Sequence, residues 1–197
     1  MLSGVRVVQT APWSEGGQYV FYANHTSHLD FIVLWSALPP ELRARTRPVA
    51  GRDYWERGAV RRYLAREVFN SILIERPTPG APHADAVAHA CSQIDTIARE
   101  MGDRFSIIVF PEGTRGSGDE ILPFKSGMYH LCRIKPEVTP VPVYLDNFNR
   151  ILPKGELVPV PMLSRAVFGA PVPMAAGETK EEFLARTRDA LVALRSA

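Results

Sequence analysis

An α/β fold, with helices packed against a largely parallel or mixed sheet, follows from three features of the 197-residue chain. Short runs rich in β-branched and aromatic residues recur along it. Helical periodicity fills several of the gaps between them, and two of the runs lead directly into polar stretches. Strands are expected near 5–9, 18–23, 47–50, 70–75, 105–110, 138–145 and 165–169. After the fourth, "HADAVAHACSQIDTIARE" places Ala84, Val87, Ala88, Cys91, Ile94, Ala98 and Met101 on one stripe and stops at Gly102. Near the end, "TKEEFLARTRDALVALRSA" opens with a capping box, Thr179 with Glu182. That helix is expected to bury Phe183, Thr187, Ala190, Leu191 and Leu194. Despite 17 prolines, no low-complexity linker divides the chain and no repeat recurs, so residues 1–197 read as a single domain.

Composition narrows the function classes. At 46% hydrophobic and 22% charged residues, the chain has the make-up of a soluble globular protein. No apolar run approaches the roughly 20 residues that span a bilayer, and the N-terminus lacks the layout of a secretory signal. Two cysteines, Cys91 and Cys132, make no disulfide framework. Cys91 falls on the apolar stripe, so a buried free thiol is expected, and with it a reducing, cytoplasmic setting.

The net charge of +2 is less informative than its distribution. Arginines stand at 43, 45, 47, 52, 57, 61, 62 and 66, opposed only by Asp53 and Glu56 and interleaved with Tyr54, Trp55 and Tyr63. Two readings are open. The segment is either a solvated helix face or a surface for anionic lipid headgroups, where each basic side chain contributes about 1 kcal/mol. No nucleic-acid motif accompanies it, and no nucleic-acid partner is expected.

Two polar stretches follow apparent strands: "NHTSHLD", residues 24–30, after "QYVFYA", and "PEGTRGSGD", residues 111–119, after "FSIIVF". If those strands run in the same direction, both loops open on the same edge of the sheet, where ligands of α/β proteins bind. For 24–30 three readings compete. Ser27 with Asp30 has the spacing of a helix capping box, which leaves Asn24 and His25 unexplained. His25 and His28 suggest a metal, but a third ligand is wanting: His83, His89 and His130 sit on expected helices without a matching pair. In the third reading, His25 in the loop folds back onto Asp30 in the first helical turn, giving a base held in one tautomer by an acid. No G-x-S-x-G nucleophile elbow occurs anywhere. A His–Asp pair without a protein nucleophile suits activation of a substrate hydroxyl.

Asn24, His25, Ser27 and Asp30 match the N-H-x-S-x-x-D form of the H-x4-D motif, and here the chain resembles the glycerolipid acyltransferases, the family of 1-acylglycerol-3-phosphate acyltransferases. "FPEGTRG", 110–116, is similar to that family's third block, and "FKSG", 124–127, to the lysine-glycine segment after it. "ILIER", 72–76, resembles the second block and ends in its arginine, although Asn70 and Ser71 stand where glycine and phenylalanine are usual. "VPVYL", 141–145, is similar to the fourth block, a hydrophobic–proline–hydrophobic strand. The four blocks lie in order between residues 24 and 145.

The resemblance implies transfer of a fatty acyl group from acyl-CoA or acyl-carrier protein to the hydroxyl of a lysophospholipid. The implied acceptor is 1-acylglycerol-3-phosphate and the product phosphatidic acid. His25 would take the hydroxyl proton and Asp30 would stabilise the imidazolium. Arg76 and Arg115 would clamp the acceptor phosphate, and Gly113 would admit backbone close to the ligand. Glu112 would accept a glycerol hydroxyl or orient an arginine; Thr114 and Lys125 complete the substrate-binding set. A thioester is already activated, so neither a metal nor any cofactor beyond the acyl-carrying co-substrate is called for. The alternatives are a non-catalytic module that binds acyl-CoA or phospholipid, and a thioester hydrolase in which His25 activates water. Members often carry a hydrophobic N-terminal segment, and only 23 residues precede Asn24. The expectation is therefore a cytoplasmic protein, peripheral at the inner face of an anionic membrane, or one domain of something longer.

Overall fold

Residues 19–23, YVFYA, are buried throughout, as befits a central strand with helices above and below. Around that strand the computed structural model builds one seven-stranded sheet, and it describes residues 5–14, 16–27, 30–75, 82–118, 120–146 and 164–196. The strands are β1 (Val5–Gln9), β2 (Tyr19–Ala23), β3 (Thr46–Gly51), β4 (Ile72–Ile74), β5 (Ser106–Val109), β6 (Thr139–Asp146) and β7 (Ser164–Phe168), in the spatial order β1-β7-β6-β2-β5-β3-β4. All seven expected strands are present. Neighbours run parallel except at β6–β7, where the pairing is antiparallel.

Alternation along β2 divides the core. Tyr19, Phe21 and Ala23 face a layer made by α1 (Asp30–Ala37), α2 (Pro40–Arg43), α3 (Arg52–Trp55) and a π-helical turn (Leu64–Val68); α4 (Ala59–Tyr63) leads into that turn. Val20 and Tyr22 face α5 (His83–Met101), α6 (Gly127–Ile134) and α7 (Lys180–Ala193), the last followed by a 3-10 turn (Leu194–Ser196). The capping box of α7 is present in both halves, Thr179 and Glu182 exchanging side chain-to-backbone bonds. Tyr22 fastens α7 to the sheet by donating its hydroxyl to the Thr187 carbonyl at 3.0 Å.

Two prolines lie inside β6, a strand with neighbours on both sides, where a missing N–H ordinarily breaks the ladder. The carbonyls of Pro140 and Pro142 accept from Val172 and Gly169, beyond the end of β7. The donorless sides of the prolines therefore face a stretch where no ladder is built. The approach is close: a Cβ at Gly169 would meet Pro142 Cγ at 2.7 Å.

One expectation fails. The stripe on α5 buries Ile94 and Met101, but Ala84, Val87, Ala88 and Cys91 are exposed, and Cys91 is not a buried thiol. The packed face runs instead through Ala86, His89, Gln93 and Ile97. Ile94, which belongs to both faces, lies against Gly127 of α6 so tightly that a Cβ there would sit 3.3 Å from its Cδ1.

Adjacent parallel strands β2 and β5 send their chains to opposite faces, β2 into α1 and β5 towards α6. That is a topological switch point, and the crevice beyond its carboxyl ends is where such folds bind ligands. The two polar loops open there together, as the parallel arrangement requires.

Candidate active site

His25 lies two residues past the end of β2, and its ring turns back onto the helix that follows. Its Nδ1 lies 3.0 Å from Asp30 Oδ2. The same carboxylate oxygen accepts the backbone N–H groups of Thr26 at 2.6 Å and Ser27 at 2.8 Å. Asp30 therefore does both things that the sequence offered as rivals, reaching back to the helix start as a capping acid and orienting the histidine. An oxygen already accepting two amides accepts from the ring as well, so Nδ1 carries the proton. Nε2 is left with its lone pair to accept a proton.

Burial makes the pair rigid. The Asp30 side chain is fully buried and His25 remains 21% exposed, open to a substrate on one side. The imidazole stacks on Phe110 with ring centroids 4.2 Å apart and planes 21° apart. Phe110 opens the third motif block, so that block supplies a wall to the base as well as its loop. Asp30 Oδ1 is buried without a hydrogen bond among the described residues, and the acceptor load falls on Oδ2.

The second loop grips the peptide of His25 from both ends. Glu112 Oε1 accepts the His25 N–H at 2.7 Å, and the Gly116 N–H donates to the His25 carbonyl at 2.8 Å. Glu112 Oε2 accepts from Leu122 N–H at 2.9 Å, closing its own loop. Glu112 is 3% exposed, and burial raises its pKa against the pull of those two amides. With an oxygen on each of two backbone donors, it holds the His25 peptide in place. Asn24 is also occupied: its side chain exchanges two bonds with the backbone of Leu145, prolonging the β2–β6 pairing by one step.

The remaining sequence candidates are placed unevenly. Gly113 has φ +67°, a backbone conformation that favours glycine, and the end of the Lys125 side chain lies where a Cβ would stand, 2.8 Å from Cδ. Lys125 lies across that turn, exposed, with its N–H on the Pro111 carbonyl. Thr114 is exposed and Arg115 half-buried on the same loop. Arg76 and His28 lie outside the described residues. Among the described residues, no three His, Cys, Asp or Glu side chains converge as a metal site. Nor is any described helix long and apolar enough to cross a membrane.

Two features escaped the sequence: the stacking of Phe110 and the clamping of the His25 peptide by Glu112. A sequence model of the acyltransferase family matches residues 4–146, spanning both loops and the strands that carry them. The chain belongs to the acyltransferase family. Human 1-acyl-sn-glycerol-3-phosphate acyltransferase alpha is 30% identical over 138 residues, covering 70% of this chain and 44% of the relative. The 1-acyl-sn-glycerol-3-phosphate acyltransferase of Salmonella typhimurium is 28% identical over 137 residues, covering 66% and 48%. The chain thus spans about half the length of the curated relatives it matches. In fold it resembles the crystal structure of the 1-acyl-sn-glycerophosphate acyltransferase of Thermotoga maritima, with a TM-score of 0.71 at 19% identity, covering 98% of this chain and 72% of that one.

The arginine-rich segment divides in two on inspection. Arg47 is structural, its side chain 11% exposed and bonded to the Asn70 and Glu100 carbonyls and to the Glu100 carboxylate. Arg52 and Arg66 share Glu56, and the Arg66 hydrogen bond holds that carboxyl below its usual range. Arg57, Arg61 and Arg62 are exposed, beside Val60 at 72% and Tyr63 at 60% exposure. This surface follows the carboxyl end of β3, which runs parallel to β5, and so lies towards the edge of the sheet that carries His25.

Proposed function

We propose that this chain transfers a fatty acyl group from a thioester to the hydroxyl of 1-acyl-sn-glycerol-3-phosphate, giving phosphatidic acid. The observation that carries the reading is the oriented imidazole of His25, with Nδ1 on buried Asp30 and Nε2 turned outward. The names borne by the relatives favour that acceptor.

Nε2 takes the proton of the acceptor hydroxyl as its oxygen attacks the thioester carbonyl, a contribution of about 10²–10⁴ in rate. The tetrahedral oxyanion then collapses and expels the thiolate, which recovers the proton from the imidazolium. An ester and a free thiol result, and no enzyme-bound acyl group forms. Cys132 is unsuited to carry one: burial pushes its thiol up to about 12, and it lies on the α5–α6 side of the sheet. Cys91, exposed, lies on that same side. For the oxyanion, four nearby amides are already spent: those of Thr26 and Ser27 on Asp30, Gly113 on Phe110 and Gly116 on His25. The N–H groups of Thr114 and Arg115 have no acceptor among the described residues and are the donors we assign. Arg115 and Arg76 serve the acceptor phosphate, and Lys125 the donor or acceptor anion beside the Gly113 turn.

The lipid substrates bring the protein to a bilayer. Arg57, Arg61 and Arg62 attract an anionic surface, and Val60 and Tyr63 enter its headgroup layer. The test of the reaction is a product assay with acyl-CoA and acyl-carrier donors, each with and without a panel of hydroxyl acceptors. Phosphatidic acid formed only with the lysophospholipid supports the reading. Free fatty acid formed equally without acceptor would make the chain a hydrolase, and binding without turnover would make it a module. Intact-protein mass after mixing with donor alone should show no acyl adduct.

A further inference from the structure

A cavity of ≈270 Å³ opens on the α7 side of the site loops, lined by Asn24, Thr26, Glu112, Tyr144, Arg188 and Arg195. None of these but Glu112 was a candidate for substrate contact from the sequence, and the two arginines come from the motif-free C-terminal region. We infer that this cavity binds a phosphate group of a substrate, gripped by Arg188 and Arg195 and by the Tyr144 hydroxyl.

Three observations support an anion here. Arg188 is held in place by its Nε and Nη2, which both donate to the Ile121 carbonyl, at 3.2 and 2.7 Å. Its Nη1 has no acceptor among the described residues, so a fixed guanidinium presents a spare donor edge. Tyr144 is 6% exposed, and its hydroxyl has no hydrogen-bond partner among the described residues. Tyr144 lines the cavity, where a ligand would meet its hydroxyl in place of water. Burial, with the Asp146 carboxylate next in weight, pushes the Tyr144 phenol above its ordinary value, which keeps the proton on it for donation, while Arg195 and Arg165 act on the same oxygen in the opposite sense.

The acidic side chains at the cavity do not reverse this. Glu112 spends both oxygens on the backbone amides of His25 and Leu122, which turns its carboxylate onto the backbone. Glu120 also lines the cavity and is exposed to water, where its charge is screened. A cation would find no free carboxylate pair; a phosphate finds two guanidinium groups and a hydroxyl. Asn24 and Thr26 flank His25 in the chain, so an anion bound here rests against the peptides that carry the base. The phosphate has two sources, the acceptor headgroup or the phosphates of a nucleotide-bearing acyl donor. That either is a substrate rests on the acyltransferase reading; the anion site does not.

The experiment therefore has two arms, run on wild type, Tyr144→Phe and Arg195→Gln, with Arg188→Gln as a third variant. In the first, thermal melting is followed with inorganic phosphate against sodium chloride at equal ionic strength. Phosphate should raise the wild-type Tm by about 2–4 °C, and the variants should keep their folded baseline while losing most of that shift. In the second, KM for acceptor and donor is measured separately. The variants should raise one of the two about tenfold, as expected for one lost charge-assisted bond, with kcat changed less than twofold. A rise in the acceptor KM assigns the headgroup, and a rise in the donor KM assigns the nucleotide. Tyr144→Phe removes one oxygen and leaves the packing, so it remains informative if an arginine variant fails to fold. No phosphate shift in wild type, or the same shift in Tyr144→Phe and Arg195→Gln, would overturn the anion site. Loss of the shift with both KM values unchanged would overturn its assignment to a substrate. The melting arm stands even if no acyl transfer is found.

Discussion

The loops that meet at His25 and the segment from Arg52 to Val68 lie towards one edge of the sheet and are built in contrasting ways. Around His25, polar groups are bonded several times over: Asp30 Oδ2 takes three donors, Glu112 takes two backbone amides, and Asn24 makes two bonds to Leu145. The arginine-rich segment consists of two short helices and a π-helical turn, none with a side-chain cap, and it leaves Val60, Tyr63 and three arginines in solvent. The difference teaches what each region is for. Proton transfer demands that one nitrogen stay within hydrogen-bond reach of one hydroxyl, so its supports are redundant. Attraction to a charged surface sums over side chains and requires no single one of them to be fixed.

The contrast predicts that single changes are severe in the first region and mild in the second. Asp30→Asn should be severe in both activity and stability. All three donors meet one oxygen, so an asparagine can keep them there only by burying an unpaired NH2 in place of Oδ1, and the charge that steadies the imidazolium is lost. Accordingly, kcat should fall by about 10²–10⁴ and stability by about 1–3 kcal/mol. Turnover and chemical denaturation of the same preparation check it; wild-type kcat would mean that the aspartate serves the helix alone. Glu112→Gln should come next. An amide can accept from only one of the His25 and Leu122 N–H groups, so stability should drop by about 1–3 kcal/mol. The displaced His25 peptide should lower kcat about tenfold more than it raises KM for the acceptor, whereas a substrate-binding glutamate would move KM instead. The smallest effect on chemistry is expected from charge reversal at Arg57, Arg61 and Arg62. Co-sedimentation with anionic vesicles should be lost, as it should be for wild type at high salt when the screening length falls well below about 10 Å. Turnover on a water-soluble acceptor should stay within twofold. Equal binding of wild type to neutral vesicles would show the segment to be an ordinary solvated face.

The same contrast explains what was legible in the residues. All seven strands could be read because β-branched and aromatic runs are local, and so is the five-residue reach from His25 to Asp30. The bonds of Glu112 were not legible because its partner, the His25 amide, lies 87 residues away, and no local pattern announces a carboxylate turned inward onto backbone. The face of α5 was misread for a related reason. Its N-terminal half carries alanines at 84, 86, 88 and 90, on both sides of the helix, so the apolar pattern there does not single out one face. Arg47 looked like its neighbours in a basic run, yet Asn70 and Glu100 hold it inside. Tyr144 lies in the fourth block but has no role there that sequence assigns, Arg188 belongs to no motif, and only the folded chain brings them beside Thr26.

The central claim is that His25 is the base for a substrate hydroxyl, and His25→Ala tests it with the fewest intermediaries. Formation of phosphatidic acid from 1-acylglycerol-3-phosphate and an acyl thioester should be followed alongside thermal melting. The ring is 21% exposed and its backbone bonds to Glu112 and Gly116 survive the substitution, so Tm should change little. Turnover should fall by about 10²–10⁴. A folded His25→Ala protein that still forms phosphatidic acid at nearly the wild-type rate would contradict the account.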